Sequence, residues 1–201
     1  GRAHIADRKR LGEALWGQGL GILYASIFCL HLLLMAAFTA IPAVMTEQVG
    51  LPPEQHAWLY LATLCGALPG VAMLVRRRQA LDDPRPLLAL SVLLTVLGLV
   101  TALWASSLLV LGMGLILFFM GFTALETILP ALVSIVAPAS LRGTAMGIFS
   151  SAQFLGVFTG GALGGNALHS GGALGLVTVL SMLTGIWLAG LWRYGRAPMA
   201  V

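Results

Sequence analysis

Two side chains that titrate near neutral pH, His31 and Glu126, lie well inside long apolar stretches of this 201-residue chain. An ionised carboxylate in the middle of a hydrocarbon layer costs about 2.5–3.5 kcal/mol even on the lenient insertion scale. A carboxyl so placed can be protonated in one state of the protein and ionised in another, which is the property a proton-coupling site needs. Glu126 has a structural alternative, in which it snorkels or bonds backbone freed by Pro130. Imidazole exchanges protons in the physiological range, so His31 reads either as a proton-exchanging group or as a neutral hydrogen-bonder between helices. Should their two segments pack together, a depth difference of a few residues at ~1.5 Å each is bridged by side chains or one water. The two would then titrate as a unit.

Aromatic residues accompany both groups at helical spacing. Tyr24, Phe28, Met35 and Phe38 share the His31 face, and Phe119, Phe122 and Thr123 share the Glu126 face. A cavity lined this way suits lipophilic, often cationic, small molecules through apolar and cation–π contact. For any single ring, plain packing or lipid exposure is the alternative. Residues 143–165 hold a different pattern, four small-xxx-small pairs at 143/147, 156/160, 160/164 and 161/165. Such spacing lets another helix approach backbone to backbone. Gly143, Gly147, Gly156, Gly160, Gly161 and Gly164, with Gln153 among them, therefore read as a packing or gating face.

Enzyme signatures are missing from the sequence: there is no H-E-x-x-H, G-x-S-x-G or Walker A run. Cys29 and Cys65 both lie in apolar runs, which suggests neither a disulfide framework nor a metal knuckle. No cofactor and no metal are expected.

The elements that must position these residues are set out by the charges. Eleven basic and seven acidic residues make up 9% of the chain, against 59% apolar; a soluble domain carries about 25% charged residues. Residues 14–46, 55–75, 86–125 and 143–192 contain no Asp, Glu, Lys or Arg. Fifty residues of helix would be about 75 Å long against a hydrocarbon core of ~30 Å, so the two longest stretches must fold back. The turn signals are 105–107 and 166–172. Six membrane spans result, at 19–45, 56–75, 86–104, 108–136, 143–165 and 173–192. They lack the strict alternation of a membrane barrel. The expected class is an all-α integral membrane protein, with a basic segment at 1–18 and a short tail at 196–201.

With six spans, all the basic residues fall on one side: Arg2, Arg8, Lys9 and Arg10; Arg76, Arg77, Arg78 and Arg85; Arg142; Arg193 and Arg196. By the positive-inside rule, both termini and the loops carrying Arg76–Arg78 and Arg142 are cytoplasmic. The net charge of +4 is then an orientation signal, and no nucleic-acid partner is implied. Ten of the eleven are arginine, which fits a GC-rich bacterial source. Phe38-Thr39-Ala40-Ile41 is echoed by Phe122-Thr123-Ala124-Leu125, a hint of a repeated three-helix unit in spans one and four.

The run Leu125-Glu126-x3-Pro130, Ala137-Pro138, Arg142-Gly143-Thr-Ala-Met-Gly147, Ser150, Gln153-Phe-Leu-Gly156, Gly160-Gly161 resembles the major facilitator superfamily. It looks like the C-terminal half of a drug/proton antiporter-type member, near the YajR-like branch. That resemblance implies a 3+3 inverted-repeat bundle, helices seven to twelve of twelve, in which the first and fourth helices line the central cavity. It implies small-molecule substrates, protons, the lipid bilayer and an N-terminal six-helix half as partners, in a bacterial inner membrane. The loop signature expected after span two is degenerate: Gly70 and Arg76–Arg78 are present, but the signature's acidic residue is not. The chain is expected to be the later part of a longer one. The reading is proton-coupled efflux of small lipophilic compounds, with Glu126 as proton acceptor or partner of a cationic substrate and His31 as its modulator. Alternatives are a non-catalytic membrane subunit or truncated remnant, and a facilitator without proton coupling.

Overall fold

The computed structural model describes residue 12, residues 15–17 and residues 19–194. Expectations for the remaining residues at either end, including most of the basic segment 1–18 and the tail, lie outside the described residues. Those described form long helices joined by short connections, with no strand: α1 Leu20–Ala43, α2 Pro53–Gln79, α3 Arg85–Leu103, α4 Leu108–Val136 and α5 Arg142–Tyr194. All five are long and apolar enough to cross a membrane. Without water in the hydrocarbon region, a helix satisfies every interior backbone N–H and C=O within its own segment.

Local chemistry explains the ends. Pro42 near the end of α1 is followed by a π-helical turn, Val44–Gln48, in which Thr46 Oγ1 donates to the Pro42 carbonyl at 3.1 Å. Pro53 opens α2, where a missing N–H costs nothing. Ser107 caps α4 by accepting from the Val110 N–H. Pro130 inside α4 removes the N–H that would bond the Glu126 carbonyl. Arg76, Arg77 and Arg78 form the last turn of α2 and Arg142 opens α5, so these residues, expected in loops, belong to helix ends. Cations in the last turn of α2 complement its dipole.

Helix α5 is one helical run broken at Gly172, whose φ of 58° and ψ of −156° only glycine adopts readily. The break is narrower than the turn expected over 166–172, because the helix continues through Gly171. The chain reverses there. Before the break, a Cβ on Gly156, Gly160 or Gly164 would meet the α1 backbone at Phe28, Leu32 and Ala36 respectively, so this limb runs parallel to α1. After it, Trp187 Nε1 donates to Ser26 Oγ at 2.9 Å and Gly190 faces Ile22, so the second limb runs antiparallel.

Helix α4 is placed by the same device. It runs parallel to α2, with Gly66 against Ile116 and Gly70 against Met120, and antiparallel to α3, with Gly98 against Gly114 and Phe118 and Gly121 against Ser91. Large apolar side chains such as Phe118, Leu125, Ile27 and Leu33 fill the core between α1 and α4. Trp58, Phe154, Phe158 and Ile186 point outward, as a membrane solvent permits. Arg85 chelates Asp83, with Nε at 2.9 Å from Oδ1 and Nη2 at 2.6 Å from Oδ2, and lies 5.3 Å over the Trp192 ring, joining the start of α3 to the end of α5.

Gly98→Ala is expected to lower the thermal unfolding midpoint of the purified protein. The new methyl would come within 2.6 Å of the Gly114 carbonyl oxygen and 2.8 Å of Phe118 Cα, backbone atoms that cannot swing away, a cost of about 1–3 kcal/mol. Gly185→Ala, which meets nothing within 4 Å, should be neutral or stabilise by up to about 1 kcal/mol. Equal midpoints for the two variants would contradict the glycine-mediated packing.

Candidate functional site

Three helices bring one polar cluster together at mid-depth. His31 on α1 is almost fully buried, with 6% of its side chain exposed, while Glu126 on α4 keeps 34%. Glu126 Oε1 lies 3.4 Å from His31 Nε2, the meeting that side-chain reach allowed for if the two helices packed. Gln153, on the first limb of α5, brings its amide nitrogen to 2.9 Å from the same Nε2. His31 Nδ1 lies 3.2 Å from the Ile27 carbonyl, which can only accept, so Nδ1 carries hydrogen and donates to it. That assigns the ring's variable proton to Nε2.

The chemistry at Nε2 is a choice between two neighbours. A neutral ring presents a lone pair there, which accepts an N–H from Gln153. A protonated ring presents an N–H instead, which the Glu126 carboxylate accepts with charge assistance. One nitrogen cannot serve both partners in the same way.

The aromatic residues do not form one lining. Phe122 meets the His31 ring edge-on at 5.6 Å and stacks on Phe118 at 5.9 Å. Phe118 meets Phe119 at 5.5 Å, Phe119 meets Tyr60 at 6.4 Å, and Tyr60 stacks on Phe38 at 5.1 Å. The result is a chain of ring contacts from His31 to Phe38 across α1, α4 and α2. Tyr24 points away, buried against Trp16 at 5.5 Å. Phe28 and Met35 are half-buried, and Phe28 offers its backbone to Gly156. Thr123, also half-buried, uses its carbonyl to accept from Thr127 Oγ1 at 2.8 Å. A cavity of about 510 Å³ lies elsewhere, between the start of α1 and the second limb of α5, lined by Trp16, Ile22, Cys29 and Trp187 among others.

Of the glycines in the first limb of α5, Gly156, Gly160 and Gly164 are buried against α1, whereas Gly143, Gly147 and Gly161 have open space beside them. The contact lies along every fourth residue from Gly156 to Gly164, a row that begins three residues beyond Gln153. Two of these contacts lie beyond a reading of sequence alone. Gln153 stands out there as a polar group at span depth, but its pairing with His31 depends on the parallel run of the limb along α1. Tyr60 carries no signal beyond being an aromatic residue inside an apolar span.

Fold and site together define a multi-pass α-helical membrane protein with a titratable polar cluster packed between its helices. No protein-family model matches the chain. It is 36% identical over 170 residues to the inner membrane transport protein YajR of Escherichia coli K12, a match covering 81% of this chain and 36% of that protein. It is 31% identical over 140 residues to the uncharacterized transporter BU466 of Buchnera aphidicola from Acyrthosiphon pisum, covering 68% of this chain and 35% of that protein. A shorter match, 49% over 53 residues, joins it to an uncharacterized transporter of Buchnera aphidicola from Baizongia pistaciae. The chain is a homologue of YajR and of these transporters, in keeping with the resemblance in its sequence to the major facilitator superfamily. It spans about a third of the length of the first two of these relatives.

The Tyr60 hydroxyl is buried and has no hydrogen-bond partner among the described residues. Tyr60→Phe should therefore leave the thermal unfolding midpoint unchanged or raise it, because a buried hydroxyl without a partner is a cost. Tyr60→Ala, which removes the ring between Phe38 and Phe119, should lower it. A marked loss of stability in Tyr60→Phe would show that the hydroxyl is bonded after all.

Proposed function

We propose that this chain is the C-terminal half of a proton-coupled secondary transporter that exports small lipophilic compounds by alternating access. The observation that carries the reading is the contact of His31 with Glu126 across α1 and α4 at 3.4 Å, with the histidine buried. Intramembrane titratable groups are expensive and mark proton or substrate pathways. In this reading Glu126 accepts the proton or pairs with a cationic substrate, and His31 modulates it. The ring contacts running from Phe122 to Phe38 offer faces for apolar or cationic compounds.

The packing supports a 3+3 inverted repeat with six crossings, the two limbs of α5 counting as the fifth and sixth. The first helix of each triplet packs on the second and third helices of the other, α1 on the limbs of α5 and α4 on α2 and α3. In both cases the second helix runs parallel and the third antiparallel. Transporters of this kind work by rocking one half against another around a fixed site, so the reading requires a second six-helix half. The partner surface is assigned to the first limb of α5, on the side where Gly143, Gly147 and Gly161 have open space beside them and Phe154 and Phe158 stand exposed. Inner-membrane location, as in the Escherichia coli relative, and cytoplasmic termini complete the proposal.

The test is drug-efflux transport in inverted vesicles carrying the full-length protein. Glu126→Gln is expected to abolish the dependence of efflux on the proton gradient while the protein remains folded and inserted. Efflux that stays proton-driven with unchanged pH dependence would overturn the reading in favour of a facilitator.

A further inference from the structure

The geometry points to Gln153 as a positioning residue that reads the protonation state of His31 and transmits it to α5. This inference rests on the reading of His31 and Glu126 as a proton site. The amide nitrogen of Gln153 and the carboxylate of Glu126 converge on one atom, His31 Nε2, at 2.9 and 3.4 Å from two different neighbouring helices. Nδ1 is committed to the Ile27 carbonyl and cannot relieve the competition. When the ring is neutral, its Nε2 lone pair accepts the Gln153 N–H and ties α1 to the first limb of α5. When Nε2 is protonated, its N–H turns to Glu126 on α4, and the Gln153 N–H, itself a donor, must leave or give way to its carbonyl.

The glycines beyond Gln153 make the exchange consequential. Three residues further on begins the row Gly156, Gly160, Gly164, which lies directly on the backbone of Phe28, Leu32 and Ala36. A glycine contact has no side-chain interlock, so it permits the limb to shift along α1 once the polar tie is exchanged. The hydrogen bond at Gln153 supplies the specific, proton-dependent fastening that this smooth surface lacks.

The charged surroundings of His31 are simple. Glu126 is the one charged residue of α4, and α1 itself carries none. The charged residues of α5, Arg142 and Arg193, stand at its ends, as do Arg85 on α3 and Glu54 and Arg76–Arg78 on α2. Among the described residues, the other titratable side chains of the bundle interior, Tyr24, Cys29 and Tyr60, make no hydrogen bond to His31. The two groups at Nε2 are suited to opposite forms of the ring: the Gln153 N–H pairs with the neutral ring's lone pair, and the Glu126 carboxylate with the N–H of the charged one.

The experiment is a pH titration of the His31 imidazole nitrogens in the full-length protein. Nitrogen-15 resonance in lipid nanodiscs is the readout, with the signal assigned by its loss in His31→Gln. Gln153→Met keeps the volume and deletes the donor, and should tighten proton binding to His31 about five-fold, the weight of one neutral hydrogen bond. Glu126→Gln should weaken proton binding. Gln153→Glu, a second variant in case Met disturbs packing, replaces the donor by an acceptor and should shift the midpoint in the Met direction and further. A midpoint that stays put or falls in both Gln153 variants overturns the inference. The transport reading fails separately: efflux in Glu126→Gln that remains proton-driven removes it, while a raised midpoint in Gln153→Met would still establish the amide as the neutral ring's partner.

Discussion

The absence of water around the helices is the constraint on which this structure turns. A polar side chain in such a medium finds its partner inside the protein or goes without. Most hydroxyls comply locally: Ser91, Thr95, Thr63 and Thr184 donate to the carbonyl four residues back in their own helices. His31 satisfies Nδ1 in this way, but its second nitrogen has no local carbonyl and must reach other helices. It finds Glu126 on α4 and Gln153 on α5, so His31 Nε2 lies at the junction of three helices.

Close backbone approach is the complement of that polar junction. Apolar burial gives helices in lipid no reason to prefer one another, so proximity of small residues decides the pairing. Gly98, Gly114 and Gly121 set α3 on α4, while Gly156, Gly160 and Gly164 set α5 on α1. Both interfaces leave backbone against backbone. At the α1 face this is why the contact of His31 with Gln153 on the first limb of α5 can be short.

Much of this was legible in the sequence, for specific reasons. Charge-free runs show where the helices lie because an isolated charge is costly in lipid. For the same reason Glu126 stands out, as the acid farthest inside an apolar span. Which partners meet was not legible. The pairing of His31 with Gln153 depends on α5 lying beside α1; the alternation of six spans makes the two run in the same direction, but it does not say that they are neighbours. Nor does the sequence separate Gly160, which is pressed on Leu32, from its neighbour Gly161, which faces open space; a rotation of one residue about the helix axis decides between them. The turn in α5 was visible as a cluster of small and polar residues, but the helix absorbed all of it except Gly172, because Asn166 to Gly171 sit at a helix end where such residues are tolerated.

The interlocked course of the chain also has a consequence for its birth. Helix α1 leaves the ribosome ahead of the other four, yet the residue that bonds His31 comes 122 positions later. At about 5–20 residues per second, roughly 6–24 s pass before Gln153 is synthesised. Throughout that interval the face of α1 that will receive α5, and its histidine, meet lipid, the insertion machinery or a chaperone. Assembly of the polar cluster thus waits for α5, and a chain stopped short of α5 would present to quality control an exposed polar group that the folded protein keeps hidden.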